Sequence, residues 1–110
     1  MMSRIADEQG MITYVLDADG NPVRETDLVK YHSWMEANYR VGLDVIGGVR
    51  VSTVFLGIDH AHFDGGPPVL WETMLFDTDE EYQERYTSQA AAIRGHERVC
   101  ENLRMGLPAS

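Results

Sequence analysis

Two strongly apolar runs dominate the chain, and a polar connection rich in glycine and proline joins them. In the first run, residues 49–58, both sets of alternate positions become apolar after the first few residues. Because alternate residues of a strand face opposite sides, this pattern predicts a central strand that is covered on both faces at its far end. The second run, residues 69–76, predicts another strand, in which Glu72 interrupts an apolar row.

Glu72 has two interpretations. A carboxylate among apolar neighbours needs a partner or a shifted pKa, because burial disfavours its charged form. Alternatively, the residue occupies an edge position from which the carboxylate reaches water, as most glutamates do. The second interpretation is the ordinary one for Glu, and the pattern leaves both open.

The N-terminal part of the chain predicts a short hairpin. Residues 11–16 are rich in β-branched and aromatic side chains, which are typical of a strand. Residues 17–22 form a dense turn signal, and residues 23–25 then return as a short strand.

A helix and a second hairpin follow. Thr26 is expected to cap a helix that ends near Tyr39 or Arg40, because apolar residues recur there at helical spacing: Leu28, Tyr31, Met35 and Tyr39. Residues 43–46 then lead into Gly47-Gly48, a dipeptide that suits the positive φ angles of a tight turn. This dipeptide predicts a hairpin into the first apolar run.

Two patterns compete after the second run. Thr78 and Glu81 form a capping box that would start a helix at once. Alternatively, residues 85–87 are extended and Ser88 caps a shorter helix that runs to about Met105, which is the version we favour. Both versions bury one helical stripe, made of Ile93, His96, Cys100 and Leu103.

The resulting order is β, short β, α, β, β, β, α. It predicts an α+β two-layer sandwich, in which an antiparallel sheet of about four to five strands carries two helices on one face. We expect a loose N-terminal arm (1–10), a single domain (11–105) and a C-terminal tail (106–110).

Composition narrows the class of protein. The 110 residues suffice for one globular core, and no apolar stretch approaches the ~20 residues of a membrane-spanning helix. Residues 1–10 lack the features of a signal peptide, so we expect a soluble, cytoplasmic protein with no membrane partner. The single cysteine, Cys100, excludes an internal disulfide framework and a Cys-rich zinc site, and we expect its side chain to be buried.

The net charge of −9 is unevenly distributed. Residues 59–86 hold eight Asp and Glu against one Arg, whereas residues 28–58 and 87–110 each carry a net charge of +1. The absence of a basic patch argues against direct nucleic-acid binding. We expect a protein partner to bind the acidic residues that follow the second run, unless they only aid solubility: Asp77, Asp79, Glu80, Glu81 and Glu84.

The connection between the two runs holds a DHxHxD string. In an extended segment, His60, His62 and Asp64 project to one side and could bind zinc or another divalent metal. We favour a loop whose polar groups cap its own backbone, and hence no cofactor.

A second arrangement would join distant residues. If the terminal helix covered the face bearing Glu72, His96 could reach that carboxylate, with His60 nearby, and act as a general base. A buried structural hydrogen bond is the interpretation we favour, because the chain has no recognised nucleophile or cofactor motif.

Several strings resemble a known group of proteins. VSTVFLGIDH at 51–60, WETMLF at 71–76 and Gly95-His96 resemble small proteins encoded by phages and prophage-bearing bacteria. The matching positions are Ser52, Thr53, Asp59, His60, Gly66, Pro67, Pro68, Glu72, Thr73, Met74 and Phe76. His62 is an addition to that pattern, and the acidic residues after Phe76 fit it poorly. The group has no established activity, so the resemblance implies a phage context, with the host cytoplasm as location, and no mechanism.

These observations lead to three hypotheses. The first is a small, non-enzymatic, phage-borne protein that binds and modulates another protein through its acidic surface. The second is an enzyme, metal-dependent or based on His and Glu, centred on His60, His62, Glu72 and His96. The third is a structural homo-oligomer that buries the apolar rows which one small sheet leaves uncovered.

Overall fold

Two antiparallel sheets and two helices make up the fold. The structure, a computed structural model, describes residues 12–59 and 66–110. The elements are β1 (Tyr14–Leu16), β2 (Pro22–Arg24), α1 (Leu28–Asn38), β3 (Arg40–Ile46), β4 (Val49–Phe55), β5 (Trp71–Phe76), β6 (Gln83–Tyr86) and α2 (Gln89–Arg104). Strands β1 and β2 form a separate hairpin, and the other four make a sheet in the order β3-β4-β5-β6. The predicted α+β class is confirmed, with four strands in the main sheet.

Local chemistry explains where the helices begin. Asp27 caps α1, since its carboxylate accepts hydrogen bonds from the backbone N–H groups of Val29 and Lys30. The predicted cap was wrong by one residue, because an Asp at that position bonds two free N–H groups. Ser88 caps α2 by accepting from the N–H of Ala91, so the interpretation with a shorter terminal helix is confirmed.

The Gly47-Gly48 turn sets the register of the main sheet. Both glycines have positive φ angles, 58° and 85°, as the predicted tight hairpin requires. Gly42 of β3 then lies opposite Thr53, and Thr53 lies opposite Thr73 of β5. We call the face that carries these threonines the inner face, because α2 packs on it, and the opposite face the outer face.

The core occupies the inner face in two clusters. One joins Val51 and Leu75 of the sheet to Val99 and Cys100 of α2. The other is built from buried residues of the sheet and α2, with α1 contributing partly buried side chains; it includes Phe55, Leu70, Trp71, Tyr86, Ala92, Trp34 and Met35. Both helices therefore contribute to one side of the main sheet, as predicted.

The C-terminal residues pack against the domain. Ala109 is fully buried in the first cluster. Its carbonyl accepts a hydrogen bond from the Asn102 side chain, and its N–H donates to Glu80. The segment predicted as a tail therefore contacts the loop that follows β5. Neither helix within residues 12–59 and 66–110 has the length and apolar character needed to cross a bilayer.

Candidate functional site

A chain of hydrogen-bonded side chains crosses the inner face. The hydroxyl of Tyr86 donates to Thr73 Oγ1 at 3.0 Å. The hydroxyls of Thr73 and Thr53 are 2.6 Å apart, and Thr53 Oγ1 lies 2.8 Å from His96 Nδ1. All four residues are buried, and the two threonines are fully so. The structure thus places a continuous polar row inside an otherwise apolar layer.

The row reaches the surface at Asp44. His96 Nε2 lies 2.7 Å from Asp44 Oδ2, and the Asp44 side chain is 49% exposed. The Cys100 thiol lies 3.8 Å from the same carboxylate oxygen. The hydrogen bond from His96 lowers the pKa of Asp44, whereas burial, together with the negative charge of Asp44, raises the pKa of Cys100.

Two glycines make room for this arrangement. A Cβ on Gly42 would lie 2.9 Å from His96 Cε1 and Nε2, so the imidazole ring rests directly on the backbone of β3. A Cβ on Gly95 would lie 2.6 Å from two ring carbons of Tyr86, so the tyrosine ring lies against the backbone of α2. Both rings are therefore held in place by close packing.

The hydrogen bonds of the row have one self-consistent direction when the imidazole is neutral. Tyr86 donates to Thr73, Thr73 donates to Thr53, and Thr53 donates to His96 Nδ1. His96 Nε2–H then donates to Asp44. Every hydroxyl in the row has an acceptor, which favours this direction. The arrangement of Asp, His and Thr is not that of an accessible nucleophile, since Thr53 has no exposed surface.

Glu72 belongs to the outer face. Its carboxylate accepts hydrogen bonds from Gln83 Nε2 at 2.6 Å and from Arg85 Nε at 3.0 Å. The residue is 8% exposed, so the interpretation as a buried, partnered carboxylate is the correct one. The condition considered above, that α2 covers the face bearing Glu72, is not met: Glu72 and His96 bond different partners on opposite faces.

The predicted metal string lies outside the described residues. His60, His62 and Asp64 fall within 60–65, so the string stays a prediction. Asp59, the last described residue before it, accepts a hydrogen bond from the N–H of Val69 at 2.9 Å. This bond joins the two ends of the connection between β4 and β5.

The acidic residues after β5 differ in their surroundings. Asp77 pairs with Arg50 at 3.5 Å, Glu84 pairs with Arg98, and Glu80 accepts the N–H of Ala109. Asp79 and Glu81 are exposed. The five carboxylates therefore do not act as one free cluster.

An exposed apolar surface lies beside these carboxylates. Val45, Arg50 and Phe76 lie opposite one another on three neighbouring strands of the outer face. Val45 and Phe76 are 64% and 39% exposed, and Leu43 on the same face is 42% exposed. We call Leu43, Val45 and Phe76 the outer patch. A separate pocket of about 480 Å³ is lined by residues of β5, of the loop after it and of β6: Met74, Leu75, Thr78, Glu80, Glu81, Tyr82 and Gln83.

Sequence reasoning missed four members of the polar row: Asp44, Thr53, Thr73 and Tyr86. Asp44, Thr53 and Thr73 lie in strands whose other inner-face residues are mostly apolar. Threonine is common in strands, so neither one signals a polar row. The pairing of Thr53 with Thr73 follows only from the register of β4 and β5, which alternation alone does not determine.

Comparison of the chain with protein-family models, with curated protein sequences and with solved structures finds no match.

Proposed function

We propose that the protein is a small, non-enzymatic binding module, phage-borne as the sequence resemblance implies, that modulates another protein through the outer patch and the acidic loop beside it. The observation that carries the proposal is the exposed apolar surface of Leu43, Val45 and Phe76 next to exposed carboxylates. Apolar centres with charged rims are the usual anatomy of protein interfaces.

The charges indicate the chemistry of the partner. Asp79 and Glu81 are exposed in the loop that follows Phe76, whereas Arg50 is paired with Asp77 and stacks on the Phe76 ring at 5.0 Å. A partner segment that combines an apolar side chain with Lys or Arg would bury the first against Val45 and place the second beside these carboxylates. The attraction also speeds association at low salt.

The buried row supports a non-enzymatic role. Its hydroxyls at Thr53 and Thr73 are fully buried, and the hydrogen bonds of Glu72 are to Gln83 and Arg85. The pair of Glu72 and His96 on which the enzyme hypothesis was centred is therefore not formed, and His96 bonds Asp44 instead.

Affinity purification with matched variants tests the proposal. Wild-type protein is compared with Val45→Glu, with Asp79→Asn/Glu81→Gln, and with a control, Asp19→Asn/Glu36→Gln, that removes the same charge from exposed positions elsewhere. We expect the wild type and the control to retain host proteins that neither of the other two variants retains. This retention should weaken as the salt concentration rises.

Two results would contradict this proposal. One is a set of retained proteins that is identical for all four forms. The other is a concentration-dependent dimer, seen by light scattering, that Val45→Glu abolishes; the outer patch would then serve contacts between copies of this chain.

A further inference from the structure

We propose that Asp44, His96 and Cys100 form a binding site for a four-coordinate divalent transition-metal ion, zinc in the first place. The site is separate from the outer patch, because its residues lie between α2 and the inner face of β3. One ligand atom from each residue lies within 4.8 Å of the others.

Two of the three ligand separations are known individually, and the third, from Cys100 Sγ to His96 Nε2, is at most 4.8 Å. Bonds of about 2.0–2.1 Å to nitrogen and oxygen and about 2.3 Å to sulfur separate tetrahedral ligand atoms by roughly 3.3–3.7 Å. The distance from Cys100 Sγ to Asp44 Oδ2 is 3.8 Å, already close to that range. The distance from His96 Nε2 to Asp44 Oδ2 is 2.7 Å and would have to increase by about 0.6 Å. Asp44 is on the edge strand β3 with a half-exposed side chain, so it is free to make this shift.

The helix presents the other two ligands rigidly. His96 and Cys100 are four residues apart in α2, and this spacing puts them on the same face. His96 is held flat against Gly42, and its second nitrogen is bonded to Thr53. Metal-binding histidines commonly have such a second partner, which fixes the ring and the tautomer.

The polar row can accommodate the change of tautomer that metal binding requires. When Nε2 binds the ion, the ring proton moves to Nδ1, which then donates to Thr53. Thr53 donates to Thr73, and Thr73 donates to Tyr86, because each hydroxyl can act as donor or acceptor. The Tyr86 hydroxyl redirects its own proton to Glu84 Oε1, 3.4 Å away. The number of protons in the row is unchanged, and the Cys100 thiol releases one to solvent as it becomes a thiolate.

The ligand types select the ion. A thiolate with an imidazole and a carboxylate suits zinc, whereas calcium and magnesium prefer oxygen ligands alone. Three protein ligands leave a fourth position for water, and the exposed side of Asp44 provides the entry path. A buried thiol with a raised pKa does not prevent binding, because a coordinated thiol is deprotonated by the ion.

Cobalt(II) is a spectroscopic probe for the site, with zinc as the competitor. Cys100 is the only cysteine in the chain, so any thiolate-to-cobalt charge-transfer absorption must come from it. We expect that absorption in wild-type protein at one ion per chain, together with the visible bands of tetrahedral cobalt, and we expect zinc to displace both.

Variants locate the ion. Zinc titration calorimetry should show affinity at least about tenfold weaker for Asp44→Asn and for Cys100→Ser, and unchanged affinity for the surface control Asp19→Asn. Circular dichroism confirms that each variant is folded. Asp44→Asn is nearly isosteric and half-exposed, so it remains informative if Cys100→Ser is unstable.

A cobalt spectrum without thiolate absorption would overturn the proposal, as would zinc affinity that survives both ligand variants. Loss of affinity in His60→Ala/His62→Ala alone would assign the ion to the predicted string instead. None of these results bears on the partner-binding experiment, whose variants leave Asp44, His96 and Cys100 unchanged.

Discussion

Replacing Thr53 by valine tests whether the buried row stabilises the fold. The two side chains have nearly the same shape, so the substitution exchanges the hydroxyl for a methyl group without opening a cavity. Thr53 is fully buried and bonded to both Thr73 and His96. Valine would leave His96 Nδ1 without its donor, and Thr73 would have to donate to Tyr86, whose hydroxyl would then turn to Glu84 over 3.4 Å.

The expected loss comes from the His96 nitrogen and from the longer bond of Tyr86. A buried polar group that loses its partner lowers the free energy of unfolding by about 1–3 kcal/mol, and exchanging the 3.0 Å bond of Tyr86 for one of 3.4 Å costs about 1 kcal/mol more. The added methyl group returns about 0.8 kcal/mol through burial. The net destabilisation is therefore roughly 2 kcal/mol, a sizeable share of the ~5–15 kcal/mol typical of small domains.

A double-mutant cycle measured by urea unfolding isolates the interaction. Thr73→Val should cost less, about 1 kcal/mol, because Thr53 keeps its acceptor at His96 and Tyr86 can donate to Glu84. In Thr53→Val/Thr73→Val the turn of Tyr86 to Glu84, which each single variant requires, occurs only once. The double variant should therefore be more stable than the sum of the single effects predicts, by about 1 kcal/mol.

The exposed Thr87→Val is the matched control, and its unfolding free energy should change by less than about 0.5 kcal/mol. Single effects that add up, or a Thr53→Val variant as stable as the control, would refute the reasoning. The row would then be a geometric coincidence of four strands and one helix and contribute no stability.

Two further substitutions probe the packing around Tyr86 and the electrostatics of the acidic loop. Gly95→Ala would ordinarily stabilise a helix by about 1 kcal/mol, but here the new Cβ would lie 2.6 Å from ring carbons of Tyr86. Overpacking of about 1–3 kcal/mol should outweigh the gain and lower the melting temperature, whereas a higher temperature would show that Tyr86 has space to move. Burial, with the hydrogen bond to Glu84, raises the pKa of Tyr82 to about 12 from an ordinary value of 10.0. Because the pKa is higher in the folded state, the stability that protonated Tyr82 contributes is present below pH 10 and is lost toward pH 12. The free energy of unfolding of Tyr82→Phe, measured in urea, should therefore depend less on pH over that range.

Local patterns predicted the elements well where a residue type has one dominant role. Gly47-Gly48 requires positive φ, and Ser88 precedes a helical stripe, so the turn and the start of α2 were both correctly predicted. Cys100 was correctly expected to be buried. These features depend on neighbours in the chain, which the sequence displays directly.

The candidate site depended on information that local patterns lack. Asp44 and His96 are 52 residues apart, and their contact requires both the register of β3 and the choice of face for α2. A β-strand alternates its faces, but alternation does not say which face a distant helix will cover. Because the covered face was unknown, His96 was considered with Glu72, whereas in the structure it bonds Asp44.

The polar row also makes the unfolding of the domain cooperative. Its hydrogen bonds join residues 13, 20, 43 and 52 positions apart, one from each of β3, β4, β5, β6 and α2. No strand can detach without leaving buried polar groups unpaired, so these five elements should open as a single unit in native-state hydrogen exchange. The β1–β2 hairpin has no residue in the row and contacts the end of β4 through the Tyr14 N–H and the Gly57 carbonyl. Its amide protons should therefore exchange through a separate opening of lower free energy.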